Sequence, residues 1–137
     1  METYRGIVYP SQLDHMGHMN VQWYVAKFDE ATWSLFSRLG ITSEYIRDRN
    51  RGMAAVEQRI HYRHEALAGD LLVIDSTVLE MKEKAIRFRH VMRHAETVKD
   101  LADTELVGVH FDRITRKSIP FPEAIYQAGL AAREGCG

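Results

Sequence analysis

Cysteine is all but missing from this chain of 137 residues: the single Cys136, in the closing "GCG", excludes an internal disulfide and is given no catalytic role. Long apolar runs are missing too, which excludes a membrane-spanning helix. No basic segment followed by an apolar one opens "METYRGIVYP", so a secretory leader is not expected and the cytoplasm is the expected location. Charge of one sign is not in excess: 18 basic against 19 acidic residues give a net charge of −1, which offers no global attraction for nucleic acid. Repeats, low-complexity segments and Pro/Gly/Ser-rich linkers are absent as well. What remains, 45% hydrophobic and 27% charged, is the composition of an ordinary globular protein, and the length suits one domain, 1–137. The tail from about residue 130 is expected to be poorly ordered.

A short strand is expected in "TYRGIVYP". From Val21, apolar residues at Val21, Tyr24, Val25, Phe28, Leu35, Phe36 and Leu39 recur at helical spacing, and Gly40 suits the helix end. "TSEYIRDRN" has the form of a short second helix, ended by Arg51 and Gly52. The period then changes to two. Val56, Gln58, Ile60 and Tyr62 alternate with charged residues, "AGD" makes a turn, and "LLVIDSTVLEM" reads as the next strand. "KEK" is a tight turn into "AIRFRHVMRH", with Ile86, Phe88, His90 and Met92 on one face and Arg87, Arg89 and Arg93 on the other. "ADTELVGVHFD" completes the set, with Asp103 and Glu105 as cross-strand partners for those arginines. One apolar helix stripe and one apolar sheet face pack economically against each other, so the fold class is α+β: a long helix on a five-stranded antiparallel sheet.

The stretch "LDHMGHMNVQWYVAKFDEATW" is the junction between the first strand and the long helix. Unpaired backbone N–H groups and the positive end of the helix dipole lie there, a setting for a developing negative charge. Asp14 is read as a general base or a nucleophile, Gly17 as the residue that lets the chain turn, and the first helical amides as polarisers of a carbonyl. Asn20 is placed to cap the helix; Asp14, six residues upstream, is badly placed for that.

The run "D-x-x-G-H-x-N-x-x-x-Y", with the acidic pair Asp29 and Glu30 in the helix, resembles the hydroxybenzoyl-CoA thioesterase branch of the hotdog-fold acyl-CoA thioesterases. "AGD", "KEKAIRFRH" and "IPFPEAI" are similar as well, so the resemblance covers nearly the whole chain. It implies a hotdog fold, with the long helix central to the sheet, and hydrolysis of an acyl-CoA thioester without a metal or bound cofactor. It also implies a homodimer or homotetramer with sites at subunit interfaces. It places the catalytic carboxylate at Asp14 and the carbonyl-polarising amide at Val21. Where many members carry a further acid two residues before the catalytic one, this chain has Gln12.

Among the other candidates, His18 is read chiefly as holding the loop by hydrogen bonds, with substrate orientation as its functional alternative. The role of His15 stays open. Tyr24 is equally core and pocket wall. Glu57 reads as a solvated or interface ion-pair partner, with a second-acid role as a minor alternative. The expected catalytic set is Asp14, His18, Asn20 and the Val21 amide; the expected substrate-binding set is Gly17, Tyr24, Lys82 and Lys84. The resemblance supports Lys82 and Lys84 as contacts for coenzyme A phosphate. Seven histidines invite a metal reading, but pairs three apart on a strand point to opposite faces and no His-Glu-x-x-His arrangement occurs. The acyl group is not readable, since Trp23, Tyr24, Trp33 and Met53 suit several pockets. A non-catalytic acyl-thioester binding or assembly module is the alternative function.

Overall fold

A computed structural model describes residues 1–135, so the reading of Cys136 lies outside the described residues. Strands β1 (Glu2–Ile7), β2 (Arg51–Tyr62), β3 (Leu71–Met81), β4 (Ala85–His94) and β5 (Asp100–Asp112) form one antiparallel sheet in the order β1-β3-β4-β5-β2. β1 pairs with β3 in the register Gly6↔Leu72, and β2 is the opposite edge strand, beside β5. The helices are α1 (Val21–Leu39), α2 (Ser43–Arg49) and α3 (Glu123–Gly135). Thr42 caps α2 by accepting from the Tyr45 amide at 3.1 Å, and Asn50 ends it at φ 53°. That left-handed residue turns the chain into β2 five residues before the alternating pattern begins. α3 is an element the sequence reading does not contain.

The chain divides into two compact units. In the first, formed by Met1–Ser34, Ile60–Ser76 and His90–Thr104, the core gathers Val8, Met19, Tyr24, Phe28, Ala31, Leu72, Ile74, Met92 and Leu101. In the second, formed by Leu35–Arg59, Thr77–Arg89 and Glu105–Gly137, Leu35, Ile41, Val78, Ile86, Leu106 and Phe121 are buried, and Phe36 meets Phe88 edge to face at 5.4 Å. α3 enters this core through Ile125 and through Gly129, where a Cβ would collide with Met81. Burial of each large apolar side chain contributes roughly 1.5–3 kcal/mol, which outweighs any single surface ion pair.

Two residues of the expected α1 stripe are corrected. Tyr24, Phe28, Ala31, Leu35 and Leu39 are buried, but Val21 is 56% exposed and Val25 39%. At about 100° per residue these two valines stand on one flank of the buried line, and Lys27, on the other flank, is the residue the fold covers. Glu105 faces Arg87 across the sheet, at 3.6 Å, and buried Asp103 is bonded by Arg63 at 2.7 Å and His61 at 3.3 Å. Arg93 pairs with Asp75 and Asp100. β5 lies between β4 and β2, so its polar side chains have partners on both sides.

A polar chain crosses the first core. The Thr32 hydroxyl donates to the Phe28 carbonyl at 3.0 Å, so its oxygen accepts from His90 Nε2–H at 2.8 Å. The other ring nitrogen, Nδ1, lies 2.6 Å from Ser76 Oγ, which lies 2.6 Å from Thr3 Oγ1, whose hydroxyl also reaches the Ile74 carbonyl at 3.4 Å. Burial lowers the His90 pKa from 6.5 to about 4, which favours the neutral imidazole. Between these values the unfolded chain takes up a proton that the folded one refuses, so stability falls as pH falls through that window. The loss is on the order of 3 kcal/mol. Urea unfolding at about pH 7 and about pH 4.5 should show a clearly smaller pH difference in His90→Gln than in the parent; equal differences would remove His90 as the cause.

Candidate active site

The loop between β1 and α1 is closed on itself by its own backbone. Leu13 and Met19 form an antiparallel bridge, the Asp14 amide donates to the His18 carbonyl at 2.9 Å, and the Gly17 amide donates to the Asp14 carbonyl at 3.0 Å. Gly17 sits at φ 83°, which glycine adopts without the steric cost of a Cβ. Asp14 Oδ1 accepts from the Met16 amide at 2.8 Å, an Asx turn that fixes the carboxylate direction. Its Oδ2 takes no hydrogen bond from the described residues, so one oxygen shapes the turn and the other has no protein partner among them.

The start of α1 is organised by Asn20. Its amide donates to the Gln12 carbonyl at 2.8 Å, its Oδ1 accepts from the Gln22 amide at 3.0 Å, and its carbonyl accepts from the Trp23 amide at 2.9 Å. Gln22 and Trp23 are thereby satisfied. The Val21 N–H, first of the helix, has no acceptor among the described residues. It stands at the positive end of a helix of 19 residues.

Asp14, Val21, His18 and Tyr24 line one open cleft of about 260 Å³, all within the first unit. Gly17 and Asn20 shape its loop rather than its wall. His18 Nε2 meets Glu65 Oε2 at 3.0 Å, an exposed contact that ties the loop to the segment after β2. Tyr24 is buried, donates to the His64 carbonyl at 3.4 Å and packs edge to face on Tyr62 at 5.2 Å, so it serves core and cleft together. Burial raises its phenol pKa, which keeps the hydroxyl a neutral donor at physiological pH. Tyr62, Arg63, His64 and Glu65 complete the wall; the sequence reading did not associate them with Asp14. Forty-odd residues separate them from the loop, and the Met19 amide bonded to the Ala66 carbonyl at 2.8 Å brings them there. The run of polar residues where the β2 alternation stops was their one sequence signal.

Other candidates lie elsewhere. His15 is exposed and makes no described contact. Glu57 is exposed on β2. Lys82 and Lys84 are exposed in the β3–β4 turn of the second unit, where Lys82 pairs with Glu80 at 3.1 Å and lines a cavity of about 130 Å³ beside Arg87. Trp23 lies on the opposite flank of α1 from Val21 and does not line the Asp14 cleft. Among the described residues, no group of three or more His, Cys, Asp or Glu side chains is arranged to hold a metal ion, and no helix is long and apolar enough to cross a membrane.

Comparison with known proteins bears on this arrangement. A sequence profile described as the thioesterase-like superfamily matches residues 8–129. The betainyl-CoA thioesterase of Pseudomonas aeruginosa is 24% identical, over 100% of this chain and 92% of that protein. The L-carnitine dehydrogenase/betainyl-CoA thioesterase of Agrobacterium fabrum is 27% identical over 85% of this chain, which spans only 24% of that longer protein. A hypothetical protein from Staphylococcus aureus solved in complex with CoA superposes with a TM-score of 0.91 at 17% identity, covering 98% of this chain and 85% of that one. A 1,4-dihydroxy-2-naphthoyl-CoA thioesterase from Synechocystis superposes with a TM-score of 0.82 at 20% identity, covering 96% of each. The profile takes in the Asp14 loop, α1 and all of β2 to β5, and by that match, with the hotdog fold its solved relatives share, the chain belongs to the thioesterase-like superfamily.

Proposed function

We propose that this chain is a thioester hydrolase that converts an acyl-CoA to a carboxylic acid and free coenzyme A. The observation that carries the reading is the pair of unpartnered groups in one cleft, Asp14 Oδ2 and the Val21 N–H. A thioester carbonyl whose oxygen accepts from Val21 N–H gains charge there as the carbon is attacked, and the α1 dipole favours that charge. Asp14 Oδ2 either attacks the carbonyl carbon, forming an anhydride that water then opens, or takes a proton from the attacking water. On either route the carbon–sulfur bond breaks, the sulfur leaves with a proton as coenzyme A, and water supplies the oxygen of the acid. No metal or bound cofactor is required. Asn20 holds the amides, and His18 orients the loop through Glu65. Tyr24 closes the acyl side, and Lys82 and Lys84 hold coenzyme A phosphate.

The relatives named as betainyl-CoA thioesterases make betainyl-CoA a first substrate to try, beside aromatic and short-chain acyl-CoA. We place the chain in the cytoplasm, as a single hotdog domain with α1 as its central helix, working as a homodimer or a pair of dimers. The dimer is supported by β2, a 12-residue edge strand whose Val56 is 61% exposed; such an edge invites pairing. Light scattering at micromolar concentration should give at least twice the 15.8 kDa chain mass; a monomer alone would contradict it.

The acyl-CoA panel, followed by thiol release, tests the function itself. Asp14→Asn, folded and assembled like the parent, should lose at least roughly a hundredfold in kcat on the best substrate, the lower end of a general-base effect. A rate within about threefold of the parent would overturn the role of Asp14. Binding without release by the parent on every substrate would favour a non-catalytic module. Lys82→Ala with Lys84→Ala should raise KM more than it lowers kcat, because a nucleotide contact acts equally before and at the transition state; an unchanged KM would remove both lysines from the site.

A further inference from the structure

On the other flank of α1 from Val21 lies a cavity of about 410 Å³, walled by β1, the turn before the loop, and α1. It shares no lining residue with the Asp14 cleft. Lys27 lines it, and is only 4% exposed. Among the described residues Lys27 makes no ion pair: its ammonium donates to the Tyr4 hydroxyl at 2.9 Å and lies 5.3 Å from the Tyr4 ring centroid. A lysine is rarely so covered without an acid beside it, because a desolvated charge is costly unless something of opposite sign compensates it. Gly6 makes the arrangement possible, for a Cβ there would run into the Tyr4 phenol.

Several donors line this one cavity. Having accepted from Lys27, the Tyr4 oxygen still carries its own proton, and the ammonium has two further protons to give. Gln12, buried on the same wall, uses its Oε1 to accept from the Tyr9 amide at 3.1 Å, which leaves its NH₂ group as another donor. Tyr4, Tyr9 and Trp23 supply flat apolar walls. One full positive charge, hydrogen-bond donors and aromatic faces suit a monoanion with a flat apolar body. A phosphate dianion would meet too little positive charge and the exposed carboxylate of Glu30, on the same cavity. A quaternary ammonium would find the Tyr4 face already taken by an ammonium of like charge.

We propose that this cavity is a second binding site, for a small monocarboxylate with an aromatic or flat apolar body, anchored by Lys27 and Tyr4. The site stands independently of the thioesterase reading, since none of its residues lines the reacting cleft.

The chain has two tryptophans, so Trp33→Phe leaves Trp23, in the cavity wall, as its reporter. Titrating that protein with benzoate should change the emission saturably. Lys27→Met should weaken the apparent affinity about tenfold to a hundredfold, the range for a lost charge-assisted hydrogen bond, and Glu30→Gln should tighten it. Asp14→Asn should leave it unchanged, which separates this site from benzoate held in the reacting cleft. Tetramethylammonium chloride should give no saturable signal. Should Lys27→Met fail to fold, Tyr4→Phe keeps the ammonium, removes one donor, and should still weaken binding several-fold. No saturation by tens of millimolar benzoate, an affinity unmoved by the Lys27 or Tyr4 substitution, dependence on Asp14, or saturable binding of tetramethylammonium would each overturn the proposal.

Discussion

Asn20 makes three hydrogen bonds at the start of α1, and what they leave over determines the chemistry open to the cleft. Its backbone amide is anchored on Gln12, so the chain enters the helix at a fixed angle. Its side chain and carbonyl take the Gln22 and Trp23 amides, which leaves Val21 N–H without an acceptor among the described residues. Orphan amides at a helix start usually turn to water or to a cap. Here the cap takes the inner ones and leaves the outermost on a residue that lines the cleft.

The carboxylate is fixed by a different device. Asp14 belongs to a turn held by the Asp14–His18 and Gly17–Asp14 backbone bonds, and its Oδ1 is consumed by the Met16 amide. A carboxylate restrained at one oxygen keeps its second oxygen in one place, the kind of placement the proposed role of Asp14 needs. The loop is in turn tied to the segment after β2 through Met19 and Ala66, and through His18 and Glu65. Loop, helix start and the end of β2 therefore form one constraint, and α1 carries it into the core through Tyr24 and Phe28. The same helix presents Lys27 and Trp23 on its other flank, so its two sides differ in chemistry: a carboxylate and an amide on one, an ammonium and aromatic rings on the other.

How much of this was legible in the sequence varied with the range of the interaction responsible. Strands β3, β4 and β5 and helix α1 show in local period alone, because each has one face to bury and the spacing of apolar residues records it. The Asp14 loop was legible because its polar residues are contiguous and precede a helical pattern. Position within the α1 stripe was not: Val21 and Val25 have the composition of core, yet exposure depends on where β1 and the other strands end. Lys27 has the composition of surface, yet Tyr4 and Gly6, more than twenty residues earlier, cover it. Glu65 and Tyr62 came to the cleft through tertiary contact, which a single sequence does not display. Arg63 and His61 reach Asp103 because strand order, not alternation alone, decides which neighbours a side chain meets. α3 was missed although its apolar spacing is helical, because glycine at 129, poor by helix propensity, stands in it to let Met81 approach.

The central claim is that a thioester reacts between the Asp14 carboxylate and the Val21 amide. The most direct measurement is a crystal structure of the Asp14→Asn variant with an intact acyl-CoA bound. The thioester carbonyl oxygen should lie about 2.9 Å from the Val21 nitrogen, an ordinary hydrogen bond, with the carbonyl carbon facing the substituted side chain. An acyl-CoA whose thioester lies away from the start of α1, leaving the Val21 amide to water, would contradict it.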